Sequence, residues 1–250
     1  MEWKTQLKEM FDARVYLGHR NRQKNPKMQF CVYRKKNNHH IIDLFKTYYY
    51  LNLVCKYLLK ECSKGRKVLF IGTKKHIKKY VEKAAKDCES WYISRRWLGG
   101  FFTNWRTTKK SIIKLRQLDF SEEKNSQMIH QQERLEKFLI GVKTMDHLPD
   151  IVIFIGQLKD INAVKECQKL NIPSITILDT NCNPNLTDLF VPANDDSLPS
   201  VIFILNKLAA SIKAGKEKKS LNLNQFVAAP RKKNQFVAAA KNKEKNQKKN

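Results

Sequence analysis

The densest chemistry in the 250-residue chain lies between Ser94 and Lys110, Ser-Arg-Arg-Trp-Leu-Gly-Gly-Phe-Phe-Thr-Asn-Trp-Arg-Thr-Thr-Lys-Lys. Arg95, Arg96, Arg106, Lys109 and Lys110 supply cationic donors for phosphates, Asn104 and the threonines suit sugars, and Gly99-Gly100 permits close backbone approach. That is nucleic-acid chemistry. Trp97, Phe101 and Trp105 recur at intervals of four, so the rings are expected to pack a junction between helix and domain rather than to stack on bases.

A second candidate is Gly72-Thr73-Lys74-Lys75, which follows an apolar run and precedes a helical pattern. Free amides and the helix dipole attract phosphate there. The stretch nevertheless lacks both the G-x-x-x-x-G-K-[ST] loop and the G-x-G-x-x-G fingerprint, and eight glycines in the whole chain leave little loop to wrap a nucleotide. Asp179 and the pair Asp195-Asp196 could be posed as catalytic carboxylates, but adjacent aspartates before a helix read as a cap and its neighbour. No Gly-x-Ser-x-Gly elbow exists. No catalytic residue and no cofactor are assigned. The six cysteines contain no Cys-x-x-Cys pair, and adjacent His39 and His40 would point to opposite faces of a strand, so free thiols and no metal site are expected.

These residues need elements to hold them. Leu7, Met10, Phe11 and Arg14 trace a short amphipathic start, and Leu17 to Met28 reads as a basic loop turning at Asn25-Pro26. Phe30 to Tyr33 and His40 to Leu44 read as strands around the tip Arg34 to Asn38. Asp43 is placed to cap a helix with Leu51, Val54, Cys55, Leu58 and Leu59 inside, which Gly65 ends. Four apolar runs, at 67–72, 91–93, 148–155 and 172–179, alternate with amphipathic helices; Ala163, Val164, Cys167 and Leu170 mark the crossover between the last two. Strands that are apolar throughout and alternate with helices indicate a parallel sheet covered on both faces. The fold class is α/β, Rossmann-like in the broad sense.

From Thr103, a plausible N-cap, to about Met145 there is no strand but a long helical pattern broken near 119–126, which predicts a projecting helical, coiled-coil hairpin. The organisation expected is therefore an α/β domain over 1–102 and 146–215, an inserted hairpin over 103–145, and a basic low-complexity extension over 216–250. The extension carries Asn-Gln-Phe-Val-Ala-Ala twice, at 224–229 and 234–239.

Charge is distributed unevenly. The formal net charge is +26, made of +20 over residues 1–120, −4 over 121–210 and +10 over 211–250. A basic front and tail around a mildly acidic middle form a directional footprint for a polyanion. No apolar run reaches the ~18 residues of a membrane span, and the first residues do not pair a basic segment with an apolar one, so neither a membrane partner nor a signal peptide is expected.

Nine segments then stand in one order and spacing: Gly18-His19, Asn25-Pro26-Lys27-Met28, His40-Ile41-Ile42-Asp43-Leu44, Phe70-Ile71-Gly72-Thr73-Lys74, Arg96-Trp97-Leu98-Gly99-Gly100, Thr103-Asn104-Trp105, Leu148-Pro149-Asp150, the Asp179 to Pro184 run, and the Val191 to Asp196 run. Over residues 3 to 215 the chain resembles the family of the second protein of the small ribosomal subunit, bacterial and organellar type, and most of all its plastid branch. The resemblance implies a non-catalytic component of a plastid ribosome that binds small-subunit rRNA and neighbouring ribosomal proteins and does not form homo-oligomers. Carried onto this sequence, it implies rRNA contacts from Arg20, Arg22, Lys24 and Lys27, from Lys74 and Lys75, and from Arg95, Arg96, Asn104, Arg106, Lys109 and Lys110. Two departures stand out: Tyr16-Leu17 where the family usually has His-Phe, and Gly156-Gln157 where an acidic residue is common. The alternatives are an α/β nucleotide-binding enzyme with a basic extension, and a free-standing RNA chaperone.

Overall fold

The computed structural model describes residues 2–120 and 125–228. Helix α1 (Glu2–Asp12) leads into a small antiparallel sheet of β1 (Leu17–Arg20), β2 (Val32–Lys36) and β3 (His39–Ile42), ordered β1-β3-β2. The β2–β3 turn needs only Asn37 and Asn38, at φ 46° and 64°, because asparagine tolerates the left-handed region a tight hairpin turn demands. The tip is therefore shorter than expected, and Phe30 lies in a 3-10 turn (Pro26–Cys31) ahead of the strand. The predicted basic loop begins as a strand, β1, since its polar residues gain hydrogen bonds from β3 that no local pattern reveals. Asn25 does make the turn, its side chain accepting from the Lys27 amide.

Helix α2 (Leu44–Ser63) starts where the Asp43 carboxylate accepts from the Phe45 amide at 3.0 Å. It ends at Gly65, whose φ of +88° favours glycine. There follow β4 (Val68–Ile71), α3 (Lys78–Asp87), β5 (Trp91–Ile93), α4 (Trp105–Phe120), α5 (Ser126–Leu139), β6 (Ile151–Ile155), α6 (Ile161–Lys169), β7 (Ser174–Leu178), β8 (Leu189–Pro192) and α7 (Leu198–Ala228). The second sheet is wholly parallel, ordered β5-β4-β6-β7-β8. Strands β4 to β7 are buried along their whole length, as their apolar runs require. Strand β8 ends in proline, which an edge strand accepts because its outer N–H has no partner to lose.

One face of the sheet buries Phe70, Ile153 and Ile175 against Leu51, Val54 and Leu58 of α2 and Ile204, Leu208 and Ile212 of α7. The other buries Leu69, Val152 and Phe154 against Ala163, Val164 and Cys167 of α6 and Ile112 and Leu115 of α4. Leu170 is left exposed beyond the end of α6. Helix α7 is long and apolar enough over Leu198–Leu221 to pass a membrane-span test, but its apolar face is packed on α2 and α3. It also continues past residue 215, where Lys216 donates to the Cys88 and Glu89 carbonyls at 2.7 Å and so neutralises the end of α3. The second Phe-Val unit at 234–239 and the middle of the expected 119–126 break, residues 121–124, lie outside the described residues, while α4 runs on through Phe120 and α5 starts at Ser126.

Between α5 and β6 a 3-10 turn (Ile140–Val142) lies along the free edge of β5. A Cβ on Gly141 would stand 2.2 Å from the Tyr92 carbonyl oxygen, so only glycine lets the turn cover that edge. Gly141→Ala is expected to cost about 1–3 kcal/mol of stability by overpacking. A melting curve superimposable on the parent's would show that the turn does not press on β5.

Candidate nucleic-acid interface

The order β5-β4-β6 places the two strands following β4 on opposite sides of it, so the loops leaving their C-terminal ends diverge and open a crevice. The cleft there measures about 810 Å³ and is lined by Lys75 and Lys78 after β4, Arg95 and Arg96 after β5, Lys159 after β6, and Lys137 of α5. Lys75, Arg95 and Arg96 are exposed, and among the described residues none of the three forms a salt bridge. The single carboxylate on the lining, Asp160, is already engaged: it accepts from the Thr73 amide at 3.3 Å and the Thr73 hydroxyl at 2.8 Å. Lys159 in turn donates to the Thr73 carbonyl at 2.8 Å. The protein's own carboxylate thus occupies the spot where a nucleotide phosphate would meet the β4–α3 loop. The cleft instead presents an open cationic wall, suited to a phosphate backbone.

Lys74 is the exception among the cations the sequence suggests. Its ammonium is half-buried, 2.9 Å from Asp195 and 2.8 Å from Asp196, and it donates to the Asp195 carbonyl at 3.0 Å. Burial alone would lower its pKa, but the two carboxylates more than offset that and raise it. Burial pushes the carboxyl of Asp195 up, so its charged form depends on Lys74. The same cluster contains His19, whose ring bridges Asp179 at 2.9 Å and Asp196 at 3.1 Å. His19, Asp179 and Asp195 offer ligand atoms within 4.8 Å of one another, an arrangement that sequence spacing did not suggest. Asn194, not an aspartate, holds the turn before α7, accepting from the amides of Asp196 and Ser197 at 2.9 and 2.8 Å. The cluster joins β1 to the parallel sheet, beside the bond from the His19 amide to the Thr180 hydroxyl. The hydrogen bond to Asp179 raises the pKa of His19 above its ordinary 6.5, against the effect of burial. The stabilisation is complete below pH 6.5 and fades as pH climbs through the raised value. Melting temperature is therefore expected to fall between pH 6 and 9 in the parent and to vary less in His19→Gln; equal slopes would contradict the bridge.

At Gly156-Gln157 the chain's departure has a structural answer. The buried Gln157 amide accepts from the Asn183 amide and donates to its carbonyl, both at 2.7 Å, a two-way clasp that a carboxylate could not make.

The loop from Arg96 to Asn104 is organised by Glu166 of α6, a buried carboxylate. It accepts from Trp97 Nε1 at 2.9 Å and from the amides of Gly100, Phe102 and Thr103 at 2.8, 2.9 and 3.1 Å. The Thr103 hydroxyl also points to it, at 3.4 Å, and α4 begins only after Asn104, so Thr103 is an anchor rather than the cap. Trp97 and Phe101 are buried with centroids 5.0 Å apart, which makes these rings packing and leaves the arginines to face solvent.

The structure thus gathers Lys75, Arg95 and Arg96 in one cleft. Asn104 lines an adjacent groove at the start of α4, while Arg106 and Lys110 are exposed on its first turns and Lys109 is half-buried. Arg20, Arg22 and Lys27 are exposed, and Lys24 half-buried, around the end of β1 and the turns that follow. Lys78, Lys137 and Lys159 complete the cleft but carry no motif; their only sequence signal was the general basic excess.

A family model described as ribosomal protein S2 matches residues 10–215. The small ribosomal subunit protein uS2c of Chlorella vulgaris is 43% identical over 222 residues, covering 85% of this chain and 83% of the relative. That of Oltmannsiellopsis viridis is 42% identical, covering 86% and 94%. The uS2 protein of a Synechococcus strain is 40% identical, covering 84% and 83%. With the fold and the cationic cleft in place, the chain belongs to the ribosomal protein S2 family.

Proposed function

We propose that this protein is a structural constituent of the plastid small ribosomal subunit, binding small-subunit rRNA and neighbouring ribosomal proteins and catalysing no reaction. The observation that carries the rRNA contact is the cleft at the ends of β4, β5 and β6, where six cations surround a carboxylate already bonded to Thr73. Arg20, Arg22, Lys24 and Lys27 form a second cationic group, and Asn104, Arg106, Lys109 and Lys110 a third at the root of the α4–α5 hairpin. Lys74 acts at one remove, fixing the loop that presents Lys75. The names of the plastid and cyanobacterial relatives support the placement in a plastid ribosome. A tagged full-length protein is expected to sediment with small subunits at moderate salt. Sedimentation as free protein under those conditions would overturn the reading.

A further inference from the structure

A second surface, apart from the cleft, is aromatic. The rings of Phe30, Phe190, Tyr50 and Tyr49 follow one another, with centroids 6.0, 4.8 and 5.5 Å apart. Phe45 stands one turn before Tyr49 on α2 and extends the row. Phe30, Phe45 and Tyr49 are 41%, 66% and 63% exposed, far more than packing onto the domain would leave. A contiguous exposed apolar patch of this kind marks a binding surface.

Charge decides what it binds. From Ala13 to Ile42 the chain has eight Lys and Arg residues and no Asp or Glu. Arg34, Lys35 and Lys36 are exposed on β2, the Arg34 guanidinium stands 5.8 Å from the Tyr33 ring, and Lys46 donates to the Phe30 carbonyl beside the row. The nearest acid in sequence, Asp43, is engaged as the cap of α2. Aromatic faces beside a stretch so rich in cations suit unpaired bases on a phosphate chain, since any base can stack and every phosphate is attracted. The cleft differs: its Trp97 is buried, so it offers cations without an exposed indole.

We propose that the face formed by Phe30, Phe45 and Tyr49 binds single-stranded RNA, with bases stacked on the rings and phosphates attracted by Lys46 beside the row and by the basic strand β2 that follows Phe30. The test uses the full chain and two fluorescent probes, a uridine homopolymer of about ten nucleotides and an RNA duplex of similar length. The triple variant Phe30→Ala, Phe45→Ala, Tyr49→Ala is expected to lose ten- to hundredfold in single-strand affinity, one or two stacked bases' worth, while duplex affinity stays within about twofold. Phe45→Trp with Tyr49→Trp keeps the stacking and should retain single-strand binding, which separates lost stacking from a damaged fold. Lys75→Ala, Arg95→Ala and Arg96→Ala should spare the single-strand preference, so failure of the cleft would not mask this result. Equal losses for both probes, or none for the single strand, would overturn the proposal. So would a triple variant that binds both RNAs normally yet no longer joins small subunits, which would make the face a protein-docking surface.

Discussion

Replacing Glu166 by alanine is expected to destabilise the isolated protein by about 3–5 kcal/mol. Its carboxylate takes one indole and three backbone N–H groups at 2.8 to 3.1 Å, and the Trp97 and Phe102 donors are buried. Without it those donors face an empty space, each unsatisfied group costing about 1–3 kcal/mol before relaxation. For a chain of this size that is a fall in melting temperature of roughly 6–20 °C. Glu166→Gln preserves the volume but turns an NH2 toward N–H donors, so it should fall between the two. Burial raises the carboxyl's pKa, but bonds from Trp97, Thr103, Gly100 and Phe102 more than offset it, and the net pKa is below the ordinary 4.5. The stabilisation is therefore present above pH 4.5 and lost as pH falls through the depressed value. An alanine variant within about 1 kcal/mol of the parent would show that the loop from Arg96 to Asn104 is held some other way.

The triple change Lys75→Ala, Arg95→Ala and Arg96→Ala acts on binding instead. All three side chains are exposed, so stability should change by less than about 0.5 kcal/mol each. Each phosphate contact removed lowers the slope of log affinity against log salt by about 0.7–0.9, so the slope for rRNA should fall by roughly 2–3. Affinity at low salt should drop by at least tenfold. Changing Lys74 to alanine should do the opposite, lowering stability by exposing Asp195 and Asp196 to each other while altering the salt slope little. An unchanged slope in the triple variant would remove the cleft from the interface.

The parallel sheet was legible because strands buried on both faces cannot alternate and so read as unbroken apolar runs, as in Ile151-Val152-Ile153-Phe154-Ile155. Strand β1 was not, since Leu-Gly-His-Arg has no strand pattern of its own and is extended only because β3 pairs with it and Thr180 receives the His19 amide. Strand β8 was hidden by its proline and by its position within a run of turn-forming residues. The cationic site was half legible: Arg95, Arg96 and Lys75 sit in recognisable motifs, but which way a lysine points at the end of a strand depends on partners far along the chain. Lys74 and Lys75 are neighbours, yet one turns inward to Asp195 and Asp196, 121 and 122 positions away, and the other outward. The Glu166 hub was invisible for the same reason, a lone acid on an otherwise apolar helix face whose partners lie 63 to 69 positions earlier. The −4 middle segment is also clarified: Asp160, Glu166, Asp179, Asp195 and Asp196 are used within the protein, which leaves the exterior more basic than the sequence total suggests.

A density map of a plastid small subunit containing this protein tests the central claim most directly. The account predicts rRNA along the ends of β4, β5 and β6, with Lys75, Arg95 and Arg96 within hydrogen-bond reach of phosphate oxygens and Lys74 still turned to Asp195 and Asp196. A map in which that cleft faces solvent or a neighbouring protein, with no phosphate near either arginine, would contradict it.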